Sequence, residues 1–453
     1  MQNYNKFDEL REKYSTFIYD SYDIIEEDNL YVLNYKYIIP NLTEFNHKIK
    51  IDKRNILNKN VNKKILKQLV FHLGLVELIS YYKSVCSKEI IIKCGELNDD
   101  QKRWFKKLYY NGLGEFLYLN DINILEKDLF DFTCVGESII VEEVDFEGVG
   151  NLIPIGGGKD SNVSLELLKN DYDTNTCFII NPKEVHLSCA KAANYNNDKI
   201  FKVERIIDQK LIDLNKQGFL NGHTPFSAMV AFLTYLCAYL SNKRYIVLSN
   251  EASANESTIL GTKINHQYSK TYEFENDFNN YTLKYFKLNI KYFSLLRVLS
   301  EIQIAKLFAS YKKYHSIFKS CNVGSKTLPW KWCCNCAKCL FIYIILSPFI
   351  TKEELVNIFG EDLYENKELL NIFIELLGYS DKKPFECIGT YEEVRFAVSQ
   401  VINNYNGELP YLLKYYKENY PLQLNYEILN RYNDENNLDE KFIQIVKGAL
   451  QDE

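Results

Sequence analysis

The sequence predicts an α/β protein in which a parallel sheet is flanked by two further regions. Within residues 149–345, short apolar runs alternate with helical patterns, as in βαβ units built around a parallel sheet. Residues 1–148 mix strand-like and helical runs without a glycine-rich loop, which predicts an α+β domain. Residues 346–453 have a mostly helical pattern. We therefore predict three parts with these boundaries.

The first region contains two helical segments and three short strand-like segments. Residues 62–83 and 99–111 have apolar side chains at helical spacing. Residues 38–40, 48–51 and 90–94 are apolar or β-branched runs typical of strands. No cluster of catalytic residue types lies here, so this region's role is left open.

The second region supplies the predicted parallel sheet. Its five candidate strands are residues 152–155, 176–180, 200–203, 245–248 and 291–293. A strongly apolar helix is predicted at 227–240. Ligands of such sheets bind at the carboxyl ends of the strands, near the switch point of the strand order. The functional residues should therefore follow the strands.

Length and composition restrict the class of protein. The chain of 453 residues is long enough for two or three domains. Its formal net charge of −6 argues against a general nucleic-acid binder, which is usually basic. The N-terminus lacks the apolar core of a signal peptide, and the apolar runs 228–240 and 340–350 are too short to span a bilayer. We expect a cytoplasmic protein without a membrane span or a nucleic-acid partner, and the oligomeric state stays open.

A glycine-rich turn follows the first strand of the predicted parallel sheet. It consists of Gly156, Gly157, Gly158, Lys159, Asp160 and Ser161. Successive glycines let the backbone approach a ligand closely, and N–H groups at a helix N-terminus bind anions. Lys159 adds a cation, and the Ser161 hydroxyl can donate to a phosphate or cap the helix. The spacing is neither Walker A nor Gly-x-Gly-x-x-Gly, so we predict a nucleotide-phosphate site of another kind.

A second polar cluster follows the strand predicted at 245–248. Its candidate ligands are Glu251, Asn255 and Glu256. Because parallel strands end at one edge of the sheet, this cluster should face the same crevice as the glycine-rich turn. Carboxylate and amide oxygens suit the Mg²⁺ that nucleotide sites require. The alternative is an Asn/Ser-rich loop that only caps the next segment.

Two further runs concentrate rare polar residues. The chain has six histidines, and His223 and His266 each lie in such a run, with Lys270 four residues after the second. Histidine transfers protons near neutral pH, so both are candidate acid/base groups, with Lys270 as an anion contact. The alternative is a structural role for each, with Thr224 or Ser227 capping the helix that follows His223.

Arg297 is a charge inside an apolar helical pattern. Its guanidinium can grip a carboxylate or phosphate, which makes Arg297 a candidate substrate-binding residue. The alternative is an ion pair with Glu301, one helical turn further on.

The cysteines form the second strong signal. Twelve cysteines without a secretory signal suggest reduced thiols. Cys333, Cys336 and Cys339 are spaced Cys-x-x-Cys-x-x-Cys, and Cys321 lies a loop's length upstream. Four such thiolates suit a structural tetrahedral Zn²⁺, with an iron–sulfur cluster or unligated buried cysteines as alternatives.

The glycine-rich turn resembles the Ser-Gly-Gly-x-Asp-Ser loop of the PP-loop ATP pyrophosphatases, which cut ATP between its α and β phosphates. Gly156 stands where that loop has Ser, whereas Gly157, Gly158, Asp160 and Ser161 match. The resemblance implies a Rossmann-like nucleotide domain that uses ATP and Mg²⁺. The cysteine spacing is similar to the zinc site of the PP-loop 7-cyano-7-deazaguanine synthases.

Longer runs together resemble the MurL family, the UDP-N-acetylmuramoyl-L-alanyl-L-glutamate epimerases of peptidoglycan synthesis. These runs are residues 112–116, 156–161, 221–226, 249–256, 265–270 and 383–389. The resemblance implies that ATP and Mg²⁺ drive inversion of the terminal L-glutamate, with release of AMP and pyrophosphate. It also implies an acid and a base on opposite faces of the glutamate Cα. The candidates are His223, His266, Lys270 and Cys387.

Two other classes of function are compatible with parts of the sequence. Another PP-loop enzyme, an amide-forming ligase or a nucleobase- or tRNA-modifying enzyme, would share the glycine-rich turn and the cysteines. It would give no reason for the two histidine runs. A zinc-stabilised binding module would instead use Trp330 and Trp332 to stack bases, although tryptophans beside a metal loop more often pack around it.

Overall fold

The computed structural model describes residues 2–139, 144–255, 265, 268–327, 329–380, 383–384, 386 and 388–451. Ten strands and sixteen α-helices lie within these ranges. The strands are β1 (Thr16–Glu26), β2 (Leu30–Ile39), β3 (Thr43–Asp52), β4 (Glu89–Ile92), β5 (Asp131–Cys134), β6 (Asn151–Pro154), β7 (Thr176–Ile180), β8 (Ile200–Ile206), β9 (Tyr245–Leu248) and β10 (Lys291–Ser294).

The helices before the cysteine set are α1 (Gln2–Lys13), α2 (Lys63–Tyr82), α3 (Asp99–Gly112), α4 (Gly114–Leu119), α5 (Lys159–Leu167), α6 (Glu184–Ala192), α7 (Gln209–Lys216), α8 (Phe226–Leu240), α9 (Tyr272–Tyr285) and α10 (Glu301–Ser310). The helices after Cys336 are α11 (Ala337–Leu346), α12 (Lys352–Phe359), α13 (Leu370–Leu376), α14 (Tyr391–Asn404), α15 (Tyr411–Asn419) and α16 (Glu440–Gln451).

All ten strands form one sheet in the order β10-β9-β6-β7-β8-β3-β2-β1-β4-β5. The five predicted strands form β6 to β10 and lie side by side, each parallel to its neighbour, which confirms the predicted parallel sheet. Counted from β6, their order is 5-4-1-2-3, the order of doubly wound sheets. Its switch point lies between β6 and β9. The two polar runs predicted to bind a nucleotide therefore leave the sheet on either side of that point.

The strands of residues 1–148 continue this sheet rather than forming a separate one. β3 pairs antiparallel with β8, and β1 and β2 extend the antiparallel part before β4 and β5 return to parallel pairing. The predicted domain boundary at residue 148 thus falls within a continuous sheet, and the division into domains stays a prediction.

A buried ion pair lies across the β3–β8 seam. The Arg205 guanidinium on β8 donates to both carboxylate oxygens of Glu77 on α2, at 2.9 Å from Nε, and His47 Nε2 on β3 lies 3.4 Å from Glu77. Burial alone would raise the pKa of Glu77, but Arg205 and His47 lower it to about 2. We call these three residues the seam cluster.

Helices cover both faces of the parallel part of the sheet. Successive residues of each strand point to opposite sides and therefore pack against different helices. Ile246 and Tyr292 pack with α2, α3, α8 and α9, whereas Val247 and Phe293 pack with α5, α10, α11 and α14. Within the described residues, every helix is too short or too polar to cross a membrane. The site at the carboxyl edge is therefore held between two apolar cores.

Candidate active site

The glycine-rich turn lies between β6 and α5, at the switch point. Gly157 has a φ of +76°, in the left-handed region that favours glycine, and a Cβ there would lie 2.8 Å from Val185 Cγ1. A Cβ on Gly158 would lie 2.7 Å from Ser320 Oγ, whereas one on Gly156 would meet nothing within 4 Å. Glycine is thus favoured at 157 by its backbone conformation, whereas a side chain at 158 would require the Ser320 hydroxyl to turn away, and position 156 faces open space.

Lys159, at the start of α5, is buried rather than extended into solvent. Its ammonium donates to the carboxylates of Asp160 and Glu301, and the side chains of Lys159 and Glu301 are each 1% exposed. Burial alone would lower the pKa of Lys159, but the charges of the two carboxylates raise it. Lys159 is therefore a charged lysine fixed beneath the glycine-rich turn.

Glu301 was predicted only as a possible partner of Arg297, and the structure gives it a more central place. Burial raises its pKa against the pull of Lys159, and the charges of Asp160 and Glu251 raise it further. Lys338 acts on Glu301 in the opposite direction. We call Lys159, Asp160, Glu251 and Glu301 the loop cluster.

Glu251, in the loop after β9, has an unusual environment. Its side chain is buried, and Oε1 has no hydrogen-bond partner. Mg²⁺ is commonly held by one or two carboxylates together with substrate phosphates and water, so an orphaned carboxylate oxygen beside a phosphate-binding turn fits such an ion. Among the described residues, the cysteine set is the only group of three or more His, Cys, Asp or Glu side chains placed to hold a metal ion. A magnesium ion here would thus need phosphate and water ligands.

Asn255, in the same loop, has a local role. Its Oδ1 accepts a hydrogen bond of 2.8 Å from the backbone N–H of Tyr272, at the start of α9. This matches the predicted alternative, in which the polar loop caps the following segment. A nucleotide contact by Asn255 stays a prediction. Glu256, His266 and Cys387 lie outside the described residues.

The C-terminal region reaches the loop cluster through α14. Glu393 Oε1 accepts from the backbone N–H of Glu301 at 2.5 Å, and Oε2 accepts from that of Thr390 at 2.6 Å. A single buried carboxylate therefore serves the N-termini of both α10 and α14. A Cβ on Gly389 would lie 3.1 Å from Glu301 Cβ, so Gly389, the last residue of the run 383–389, lies against the cluster.

Arg297 does not pair with Glu301, so that alternative prediction is wrong. Residues 295–298 form a 3₁₀ turn and α10 begins only at Glu301, so the spacing of an α-helical pair does not apply. The fully buried guanidinium instead donates to Glu275 at 3.2 Å and to the carbonyls of Lys270 and Glu251 at 2.5 and 3.3 Å. Arg297 thereby joins the loop after β9 to the turn of Lys270. Its contact with substrate stays a prediction.

His223 lies just before α8, where it meets a residue from the first region. Its Nδ1 is 3.6 Å from a carboxylate oxygen of Glu115 on α4. The predicted caps, Thr224 and Ser227, are wrong, because Pro225 occupies the N-cap position and no side chain caps α8. The sequence contained a signal for Glu115, since the run 112–116 is among those that resemble the MurL family.

The four predicted metal ligands converge. The Sγ atoms of Cys321, Cys333, Cys336 and Cys339 lie within 4.8 Å of one another, with 3.9 Å between Cys321 and Cys336 and 3.7 Å between Cys333 and Cys339. Tetrahedral zinc with Zn–S bonds of about 2.3 Å places its sulfur atoms about 3.8 Å apart. Cys334, with a φ of +58°, directs its thiol to the Phe359 carbonyl instead. The four thiols of the cysteine set are therefore close enough to one another to bind a single metal ion.

The cysteine set lies directly behind the glycine-rich turn. The Lys319 backbone N–H donates to the Gly157 carbonyl at 2.9 Å, and Trp330 Nε1 donates to the Cys321 carbonyl at 2.9 Å. Trp332 is buried against Phe318 and Phe359. The tryptophans therefore pack around the cysteine loop, which removes the main support for a base-stacking module.

A cavity of about 390 Å³ opens next to the loop after β9. Ser253, Ser300, Thr390, Glu393 and Asn433 are among its polar lining residues. Its volume is within the range of small-ligand sites. The sequence signal for Glu393 was a Thr-x-x-Glu capping box. That pattern predicts the start of α14 but not the contact of Glu393 with the start of α10.

Comparisons with known proteins agree with the family resemblance seen in the sequence. Residues 8–295 match the family model of the MurL N-terminal domain, and residues 317–426 match that of the MurL C-terminal domain. The UDP-N-acetyl-alpha-D-muramoyl-L-alanyl-L-glutamate epimerase of Xanthomonas oryzae pv. oryzae is 33% identical over 345 residues, 75% of each chain. Enzymes of the same name from Micromonospora sp. and Salinispora tropica are 35% and 34% identical, over 72% of this chain and 73% and 71% of theirs. No solved structure matches the chain.

Proposed function

The chain belongs to the MurL family, and we propose that this isomerase inverts the terminal L-glutamate of UDP-N-acetylmuramoyl-L-alanyl-L-glutamate in an ATP-dependent reaction of peptidoglycan synthesis. The observation that carries the ATP requirement is the loop cluster. It holds a buried lysine and an orphaned carboxylate oxygen beside a glycine-rich turn, at the switch point of a doubly wound sheet. Phosphates bind at such helix N-termini.

The substrate itself explains why ATP would be consumed. Removing the Cα proton of a terminal glutamyl residue with a free α-carboxylate places a second negative charge beside that carboxylate, so the proton is only very weakly acidic. Transfer of AMP to the carboxylate removes its charge and releases pyrophosphate. A proton can then leave Cα and another can return on the opposite face, and hydrolysis by water releases AMP and the D-glutamyl product. Overall, ATP and water become AMP and pyrophosphate.

The loop cluster has the groups for the activating half of this reaction. The N–H groups of the glycine-rich turn and the first turn of α5 bind phosphate, and Asp160 and Glu301 hold Lys159 charged beneath them. Glu251 supplies a free carboxylate oxygen to Mg²⁺, which neutralises phosphate charge when it is bound. This arrangement and the motif support the PP-loop assignment, which is part of the proposal.

The proton-transfer half needs an acid and a base on opposite faces of Cα. His223 and Lys270 are the described candidates, and His266 and Cys387 remain candidates from the sequence alone. The turn of Lys270 is tied through Arg297 to the loop of Glu251. A proton-transfer group on this turn would therefore sit close to the activating half.

Zinc at the cysteine set would have a structural role. The four thiolates would take all four ligand positions of a tetrahedral ion and would leave no open position for a substrate. The bond from Lys319 to Gly157 would let the ion fix the glycine-rich turn from behind. We expect about one zinc per chain in protein purified without added metal. Metal analysis that finds neither zinc nor iron would contradict this role.

The function is tested by incubating the protein with ATP, Mg²⁺ and UDP-N-acetylmuramoyl-L-Ala-L-Glu in D₂O. We expect AMP, pyrophosphate and deuterium at the glutamate Cα, detected by chromatography and mass spectrometry. AMP without deuterium would favour an amide-forming ligase instead. The absence of both AMP and deuterium would end the epimerase proposal.

A further inference from the structure

Two sequence runs from different parts of the chain interlock through their glycines. A Cβ on Gly112, at the end of α3, would lie 2.6 Å from Pro225 Cγ. A Cβ on Gly222 would lie 3.1 Å from Phe116 Cδ2. Each run therefore uses the missing side chain of a glycine to approach the other. The runs 112–116 and 221–226 form one packed unit.

This unit brings Glu115 opposite His223. The Oε2–Nδ1 distance is 3.6 Å, and the side chains are 11% and 28% exposed, respectively. A carboxylate at Nδ1 favours the tautomer with its proton on Nδ1 and leaves Nε2 as the basic nitrogen. Contacts of this kind are often long without substrate and shorten when it binds. Glu115 is thus placed to orient His223 rather than to react itself.

The pair lies toward the carboxyl ends of the parallel strands, the end of the sheet at which the loop cluster lies. The start of α2 meets the end of α8, where the Asn62 N–H donates to the Tyr239 hydroxyl, and the end of α2 meets the run before α8, where Lys83 donates to the Gly222 carbonyl. α8 leads into the start of β9, so its own start, with His223, lies toward the carboxyl ends of the parallel strands.

We propose that Glu115 is the positioning residue for His223 in the proton-transfer half of the reaction, which rests on the function proposed above. Nε2 of His223 takes the Cα proton of the activated glutamyl group, and the electron pair moves into the activated carbonyl. Glu115 accepts the Nδ1–H and stabilises the imidazolium. A second group returns a proton to the opposite face. Glu115 does not touch the substrate.

The test compares Glu115→Gln with the wild-type enzyme over a range of pH. The carboxylate favours imidazolium, so its removal should lower the pKa of His223 and move the limb of kcat/KM that reports the base to lower pH. Among the described residues, the buried ammonium of Lys83, whose pKa burial lowers to about 8, is a further charge beside this run and is present in both proteins. We expect kcat for deuterium incorporation to fall by at least about tenfold.

A half-reaction separates positioning from general damage. Exchange of labelled pyrophosphate into ATP, in the presence of the muramoyl dipeptide, needs activation but no proton transfer, so Glu115→Gln should keep it within about twofold of wild type. Glu115→Asp should restore part of the lost rate, and it replaces Glu115→Gln if that variant fails to fold. Glu96→Gln, an exposed carboxylate before the opposite end of α3, is the matched control and should behave as wild type.

The outcomes distinguish the two levels of the proposal. A wild-type protein that exchanges pyrophosphate and incorporates deuterium, with a Glu115→Gln variant of unchanged kcat and pH limb, would overturn the role of Glu115 alone. Equal losses of exchange and deuterium in both Glu115 variants would also overturn it, because a positioning residue for His223 leaves activation intact. A wild-type protein that does neither reaction overturns the proposed function, and the role of Glu115 with it.

Discussion

The seam cluster and the loop cluster both bury charge inside the sheet layers, but they differ in how completely those charges are paired. At the seam, the Arg205 guanidinium reaches both oxygens of Glu77, and the pKa of Glu77 falls to about 2. In the loop cluster, Glu251 Oε1 has no partner and burial raises the pKa of Glu301. The Arg205–Glu77 ion pair is complete without a ligand, although His47 Nε2, 3.4 Å from Glu77, has no hydrogen-bond partner. The loop cluster is an arrangement that a bound cation would complete.

This difference should affect the stability of the folded protein. Buried ion pairs are rarely more stable than apolar packing, but breaking one leaves a charge without a partner. The seam cluster joins α2, β3 and β8, and thus the two halves of the sheet. The loop cluster joins α5 to α10, and Glu393 extends it to α14. The seam cluster therefore links the two halves of the sheet, whereas the loop cluster contains a carboxylate oxygen without a partner.

The largest expected effect comes from breaking the seam. Glu77→Gln removes the charge opposite Arg205 and should lower the free energy of unfolding by about 3–5 kcal/mol, because the guanidinium remains buried. Urea unfolding measures the change. Glu204→Gln, which breaks an exposed pair with Lys50, is the control and should cost no more than about 1 kcal/mol. A loss at Glu77 as small as that of the control would mean that the seam is not held by this pair.

Acid should distinguish the two clusters by sign. The pKa of Glu77 is lower in the folded protein than its usual value, so its stabilising effect is present above the unfolded pKa and is lost as pH falls. Between about pH 5 and pH 2 this amounts to roughly 3 kcal/mol. The pKa of Glu301 is raised, so its ionisation weakens the fold as pH rises instead. The stability difference between wild type and Glu77→Gln should therefore shrink in acid, and a difference independent of pH would contradict this.

A smaller effect is expected from removing the carboxylate charge of Glu251 in the loop cluster. Glu251→Gln replaces the carboxylate that we assign to Mg²⁺ by an uncharged amide, and the magnesium concentration for half-maximal AMP formation should rise by about tenfold, or ~1.4 kcal/mol. Glu440→Gln, an exposed carboxylate at the start of α16, is the control. Unchanged magnesium dependence in Glu251→Gln would remove that residue from the metal site.

The smallest effect should be at the mouth of the glycine-rich turn. Gly156 faces open space and does not have a positive φ, so Gly156→Ser should change the free energy of unfolding by no more than about 0.5 kcal/mol. Gly157→Ala, one residue on, should cost about 1–2 kcal/mol because of its φ of +76° and its contact with Val185. Thermal unfolding of both variants checks the contrast. Equal losses would mean that the turn is constrained along its whole length.

The sequence predicted local structure well where a periodic pattern sufficed. The strand at 245–248 is β9, and the apolar helix at 227–240 is α8, displaced by one residue at its start. These elements follow from alternation and helical spacing in consecutive residues. The glycine-rich turn and the cysteine set were also found, because each is a short run of unusual composition.

The sequence could not predict which distant elements meet. Lys159 and Glu301 are 142 residues apart, and nothing in either run indicates their contact. The pairing of β3 with β8 is equally invisible, because strand patterns do not specify which edges join. The error at Arg297 has a local cause, since an apolar helical pattern there gives a 3₁₀ turn and a new helix start. In the first region, the run of Glu115 was the sequence signal for a residue beside a candidate site residue, His223.

The most direct test of the central claim compares wild type and Lys159→Met in D₂O with ATP, Mg²⁺ and the UDP-muramoyl dipeptide. If the loop cluster activates the glutamate for epimerisation, AMP formation and deuterium at Cα should fall together, by about 10²–10³-fold. The melting temperature of the variant shows whether it folds. Deuterium incorporation that persists after AMP formation is lost would contradict the account, because epimerisation would then proceed without activation at this cluster.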